Sequence, residues 1–143
     1  MPSTKIKKFL SSDIIVEVSP ERFEFRRDGV AKTLKTKIYL SDDPKKPEVL
    51  GIGDDVTITK PNVCIELFKE NKEDVILNYS KAQCLEFFFK QAFNLILKKY
   101  VMIRPGVVFK NSGSLNKILC GYQKFILYQA AVNSGARECF FED

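Results

Sequence analysis

The sequence predicts an α/β fold: a single domain of residues 1–143 with a mixed five-stranded sheet and two main helices. Three observations predict it. Residues 13–40 hold three short runs of mainly apolar or alternating residues, separated by tight-turn residues. Residues 80–99 and 115–130 carry apolar side chains at three- and four-residue spacing. The second of these helical stretches lies between two short runs rich in β-branched and aromatic residues. Strand, crossover helix and strand in that order make a parallel pair.

Taken in order, residues 1–12 read as a loose arm. Residues 13–18 (DIIVEV) read as the first strand, and Ser19, Pro20 and Glu21 as a turn. Residues 22–27 (RFEFRR) alternate, with Phe23 and Phe25 facing a core while Glu24 and Arg26 face water. Asp28 and Gly29 are a strong hairpin signal. A third strand is expected within residues 31–40, with Leu34, Ile38 and Leu40 on one side, which completes an antiparallel meander.

Residues 41–47 form a polar turn, and Val49, Leu50 and Ile52 a brief edge strand. Gly51 and Gly53 do not open a helix, so they read as turn residues rather than a phosphate-binding fingerprint. Residues 54–79 alternate only weakly, through Val56, Ile58, Val63, Ile65 and Leu67, and predict extended, irregular packing. Ser80 and Gln83 make a capping box for a helix running to about Lys99. Its wide apolar face, built on Leu85, Phe88, Phe89, Ala92, Phe93 and Ile96, predicts contacts on more than one side. Lys98 and Lys99 suit the negative end of its dipole.

In residues 101–143, Pro105 and Gly106 precede a strand of Val107, Val108 and Phe109, and Asn111, Ser112 and Gly113 form a loop. Ser114 reads as the N-cap of one continuous helix whose stripe is Leu115, Leu119, Tyr122, Ile126 and Ala130. Gly135 sits at a left-handed C-terminal cap, and Cys139, Phe140 and Phe141 begin a last buried strand. Three antiparallel strands, then helix, strand, helix, strand is the ribonuclease-H-like order, shared by actins, sugar kinases and many nucleases.

Composition bounds the chemistry. The apolar fraction of 45% and charged fraction of 29% are those of a globular domain, and twelve Phe without Trp predict a Phe-rich core. No apolar run reaches the roughly 18 residues of a membrane span, and the first twelve residues lack the apolar stretch of a secretory leader. With no histidine, His-based metal sites and His-dependent acid–base catalysis are excluded. Cys64, Cys84, Cys120 and Cys139 are scattered without a CxxC pair, two of them on apolar helix faces. They read as buried, reduced thiols of a cytoplasmic protein. The net charge of +5 permits an acidic partner, but Lys residues and 18 acids are interspersed, so nucleic acid is not singled out.

Arg104-Pro105-Gly106-Val107-Val108, the loop ending Ser112-Gly113-Ser114, and residues 130–138 (AAVNSGARE) resemble part of the bacterial rod-shape-determining actin family, MreB. There "RPRVVIGVPSGIT" leads through a helix to "AxxAGAREV". The likeness extends to residues 13–18 against the family's first strand, 48–53 against its "GxVLAVG" strand, and 74–79 against its "DGVIADY" entry to the first helix. The resemblance implies the N-terminal subdomain of an actin-like fold, truncated before the second half of the nucleotide clamp.

It also implies a degenerate nucleotide site. The family's phosphate loop reads Gly-Thr-x-Asn, and here Ser19, Pro20, Glu21 and Arg22 stand at those positions. Pro20 has no N–H to offer a phosphate. Glu21 would oppose a polyanion by about 4 kcal/mol at about 4 Å and an effective dielectric of about 20. Glu17 replaces a metal-positioning Asp, and Asp143 or Glu142 falls near the catalytic Glu. The expectation is a protein without cofactor, metal or catalytic residues. It would act through a protein partner or self-association, in a role linked to cell shape or cytoskeleton, with Phe87, Phe89 and Phe93 as the candidate interaction surface unless they are ordinary core.

Two further readings come from residue type. A two-metal nuclease would draw on Glu17 and Glu86, but the strand ending at Lys110 and Asn111 supplies no acid. Nucleic-acid binding would draw on Arg22, Arg26 and Arg27 beside Phe23 and Phe25, which strand alternation explains more simply.

Overall fold

The computed structural model describes residues 13–42, 48–53, 58, 60–69, 81–97 and 104–142. Its elements are β1 (Ile14–Val18), β2 (Arg22–Arg27), β3 (Val30–Lys35), β4 (Lys37–Ser41), β5 (Val49–Ile52) and β6 (Asn62–Glu66). There follow α1 (Lys81–Leu97), β7 (Gly106–Lys110), a 3₁₀ turn (Ser112–Leu115), α2 (Asn116–Leu119), α3 (Gln123–Asn133) and β8 (Glu138–Glu142). The fold is α/β. A mixed five-stranded sheet has the order β3-β2-β1-β7-β8, and a three-stranded sheet has the order β5-β4-β6. The pairs β1–β2 and β2–β3 are antiparallel; β1–β7 and β7–β8 are parallel.

Alternation explains the first sheet. Ile14, Val16 and Val18 of β1 and Phe23 and Phe25 of β2 are fully buried, and the register sets Val16 opposite Phe25 and Val18 opposite Phe23. Asp28 and Gly29 both take positive φ, 47° and 78°, as a two-residue type I′ hairpin requires.

The expected third strand is in fact two. The chain changes sheets at Thr36: β3 stays beside β2, and β4 becomes the centre of the second sheet. Thr36 is nearly buried, and its polar groups are all engaged. Its hydroxyl and N–H donate to the carbonyls of Pro20 and Glu21, and its carbonyl accepts from the N–H of Leu67. A straight strand would break these bonds. The brief edge strand expected around Val49 is β5. Part of the stretch expected to be irregular is a regular strand, β6, whose Ile65 pairs with Ile38 of β4.

Helix α1 packs as its wide apolar face predicts, on two sides. Phe88 meets Phe23 edge to face at 5.8 Å, and Phe89 meets Phe109 at 5.8 Å and stacks on Phe93 at 5.6 Å. Burying each such ring contributes about 1.5–3 kcal/mol, so the Phe cluster is the main stabilising feature of the core. On its other side, the Asn133 amide donates to Glu86 Oε1 at 2.7 Å, and the Ser134 hydroxyl lies 2.8 Å from the Glu86 carbonyl.

The helix expected to run unbroken over residues 115–130 is interrupted. Cys120 and Gly121 take left-handed φ of 51° and 86°, which ends α2 and restarts the chain as α3. The break rotates the apolar stripe: Leu115 and Ala130 are buried, whereas Tyr122 is 66% exposed. The helical segment also starts three residues earlier than expected, after a left-handed Asn111, so Ser114 is not its cap. Gly135 does close α3 at φ 113°. The N–H groups of Gly135 and Ala136 donate to the carbonyls of Val132 and Ala131 at 3.1 and 3.0 Å, a Schellman closure.

The last strand, expected to be buried, is a sheet edge with Phe140 exposed and Phe141 stacked on Phe109 at 5.3 Å. Of the cysteines only Cys84 is buried; Cys139 is half-buried, Cys64 and Cys120 are exposed, and all four are free thiols. Cys120 lies in the helix break rather than on an apolar face. Among the described residues no helix is long and apolar enough to cross a membrane. Residues 1–12, Ser80 of the capping box, Lys98, Lys99, the stretch 74–79 and Asp143 lie outside the described residues.

Candidate functional site

In α/β sheets, ligands gather at the carboxyl ends of the parallel strands. Here these are the ends of β1 and β7, followed by residues 19–22 and 111–114. The two loops are tied at one atom. The Val18 carbonyl accepts a 3.1 Å hydrogen bond from Asn111 Nδ2 and lies 3.1 Å from the Ser114 hydroxyl, which is also 2.8 Å from the Asn111 carbonyl. Asn111 can hold its φ of 64° because its short amide side chain tolerates the left-handed region.

The turn after β1 is closed on itself. The Ser19 N–H and hydroxyl both point to the Arg22 carbonyl, at 3.1 and 2.7 Å, and the Arg22 N–H donates back to Ser19 Oγ at 3.2 Å. Pro20 has no N–H. So at residues 19, 20 and 22 no backbone donor is left for an incoming phosphate. The carbonyls of Pro20 and Glu21 are held from the other side by Thr36, at 2.7 and 3.1 Å. Beside the turn, between the two sheets, lies a cleft of about 300 Å³. Its charged lining is mixed: Arg22, Lys35, Lys37 and Lys69 with Glu21 and Glu66. Glu66 and Lys69 pair at 3.9 Å.

The residues a nuclease would need do not converge. In β1 the side chains at 14, 16 and 18 face α1, so Glu17 points to the opposite face of the sheet, beside its register partner Lys110. Lys110 in turn lies 3.8 Å from Glu142. Glu86 sits on α1 across the sheet, bonded to Asn133. Among the described residues no three His, Cys, Asp or Glu side chains are grouped to hold a metal ion. Phe23 and Phe25 are in the core, and Arg26 pairs with Glu24 at 3.1 Å, so the basic-aromatic strand is plain alternation.

Of the candidate surface residues, Phe89 and Phe93 are core and Phe87 is half-buried against it. Among the described residues the aromatic rings that face outward are Phe140 on β8 and, on and just before α3, Tyr122, Phe125 (62% exposed) and Tyr128, with Ile118 nearby in sequence. Sequence reasoning missed those around α3 because one unbroken helical phase was carried across Gly121. Restarting the phase after that glycine puts Leu127, Ala130 and Ala131 inside and Phe125 and Tyr128 outside, as observed.

No thiol nucleophile offers itself in the interior. Burial, reinforced by Glu138, pushes the Cys139 thiol up to about 11. Burial also raises Cys84, against a smaller opposing effect of Lys81. Both are therefore neutral and weakly reactive near pH 7. Comparison with protein-family models found no match, and neither did comparison with curated proteins.

Proposed function

We propose that this chain is a non-catalytic interaction module with an actin-like, ribonuclease-H-like core, which acts by contact with another protein chain. The observation that carries the reading is the closed turn at residues 19–22, where the Ser19 and Arg22 N–H groups are engaged within the hairpin and Pro20 has none. The strand order and directions of the five-stranded sheet support the actin-like reading, as does the resemblance of residues 104–138 to the rod-shape actins. The partner is another copy of the chain or a full-length actin-like protein, in a role linked to cell shape, and the contact face is the outward side of α3 with Tyr122, Phe125 and Tyr128. The ribonuclease-H-like nuclease alternative is weakened because Glu17 and Glu86 lie on opposite sides of the sheet.

Co-sedimentation with a full-length rod-shape actin, and sedimentation of the chain alone, test this reading. The wild type should sediment with the actin or with itself, and Tyr122→Ser combined with Phe125→Ser should weaken its association with the actin at least tenfold. A chain that associates with neither, at any concentration reached, contradicts the proposal.

A further inference from the structure

The two edges of the five-stranded sheet carry opposite charge. At one edge β3 (VAKTLK) holds Lys32 and Lys35 and no acid; at the other β8 (ECFFE) holds Glu138 and Glu142 and no base. Among the described residues no strand pairs with the outer side of either. Such an edge presents a row of backbone donors and acceptors, and charge on it normally guards against pairing. Charges of opposite sign do something more selective. They repel β3 from β3 and β8 from β8 while attracting β3 to β8.

The strand directions suit that pairing. β3 runs parallel to β1 through two antiparallel steps, and β8 runs parallel to β1 through two parallel steps, so β3 and β8 point the same way. A second copy in the same orientation would continue the sheet with a parallel pair. The faces also match. Ala31, Thr33 and Lys35 share with Glu138, Phe140 and Glu142 the side of the sheet turned away from α1. Setting Lys35 beside Glu142 puts Thr33 beside the exposed Phe140 and Ala31 beside Glu138. Within one copy Glu138 lies 3.1 Å from Arg137 and Glu142 lies 3.8 Å from Lys110. Pairs this exposed are weak, so they can exchange for contacts across the junction.

We infer that the β3 edge of one copy docks on the β8 edge of a second copy, giving a head-to-tail contact that leaves a free edge at each end. This inference rests on reading the chain as a contact module, and names a second copy as the partner.

Sedimentation velocity at low salt tests it. The wild type should exceed the 16.4 kDa of one chain and shrink as salt rises, since the attraction is screened over about 10 Å at about 0.1 M. Lys32→Glu with Lys35→Glu makes both edges acidic, and Glu138→Lys with Glu142→Lys makes both basic. Each variant alone should be monomeric, and an equimolar mixture should associate again, which also shows that both are folded. A monomeric wild type, an assembly indifferent to salt, edge variants that still associate, or a mixture that stays monomeric overturns the inference. If association survives the edge variants but fails in Tyr122→Ser with Phe125→Ser, the edge contact is wrong and the contact-module reading stands.

Discussion

The Thr36 hydroxyl donates a 2.7 Å hydrogen bond to the Pro20 carbonyl. Pro20 is in the first turn of the chain, and Thr36 is the residue at which the chain passes from one sheet to the other. The bond therefore ties the turn to the point where the meander splits.

Replacing Thr36 with Val keeps the shape and removes the donor. The variant should lose about 1–2 kcal/mol of stability, the usual effect of stripping a part-buried carbonyl of its partner. Thr36→Ser should recover most of it. Urea unfolding followed by circular dichroism gives both values, and an unchanged midpoint for Thr36→Val would show that the bond contributes nothing.

Gly106 begins β7 where Asp13 crowds the strand. A Cβ at Gly106 would stand 2.7 Å from Asp13 Oδ1, on a carboxylate that also faces Arg137 at 3.9 Å. Gly106→Ala should destabilise by about 1–3 kcal/mol, as overpacking does. Asp13→Gly in the same chain should relieve part of that, giving a coupling above about 0.5 kcal/mol in a double-mutant cycle. Strict additivity would show that the crowding is absorbed elsewhere.

Two phenylalanines should separate core from surface. Phe89 is fully buried among Phe25, Phe93 and Phe109, so Phe89→Ala should cost about 3–5 kcal/mol. Phe125 faces outward, and Phe125→Ala should stay within about 0.5 kcal/mol of the wild type. Thermal unfolding of the two variants decides between this assignment and its reverse.

Cys139 makes stability fall at high pH. Its folded value is raised from 9.0 to about 11, so folding holds the thiol protonated. Below pH 9 the contribution is complete; between pH 9 and about 11 the unfolded chain releases the proton first, and the contribution is lost. Alkylation in the native state should label the exposed Cys64 and Cys120 first, and Cys139 should react only as pH approaches 11. Equal labelling of all four thiols at pH 8 would contradict this.

The local signals in the sequence were largely faithful. Alternation in residues 22–27 buried Phe23 and Phe25, the Asp28-Gly29 pair made its hairpin, and Gly135 closed its helix because each depends only on near neighbours. What was not legible came from contacts distant in sequence. The split at Thr36 depends on Pro20 and Glu21, which no periodicity in residues 31–40 reveals. At residues 19–22 the missing N–H of Pro20 is legible in the sequence, but the engagement of the Ser19 and Arg22 donors with each other needed coordinates. The outward aromatic face was hidden by a single glycine, since Gly121 resets the helical phase and a stripe drawn across it points the wrong way.

Isothermal titration with Mg-ATP is the most direct test of whether the hairpin at residues 19–22 is closed to phosphate. The expected result is no saturable heat at any nucleotide concentration up to the millimolar range. A dissociation constant in the low micromolar range or tighter, lost on altering residues 19–22, would contradict it.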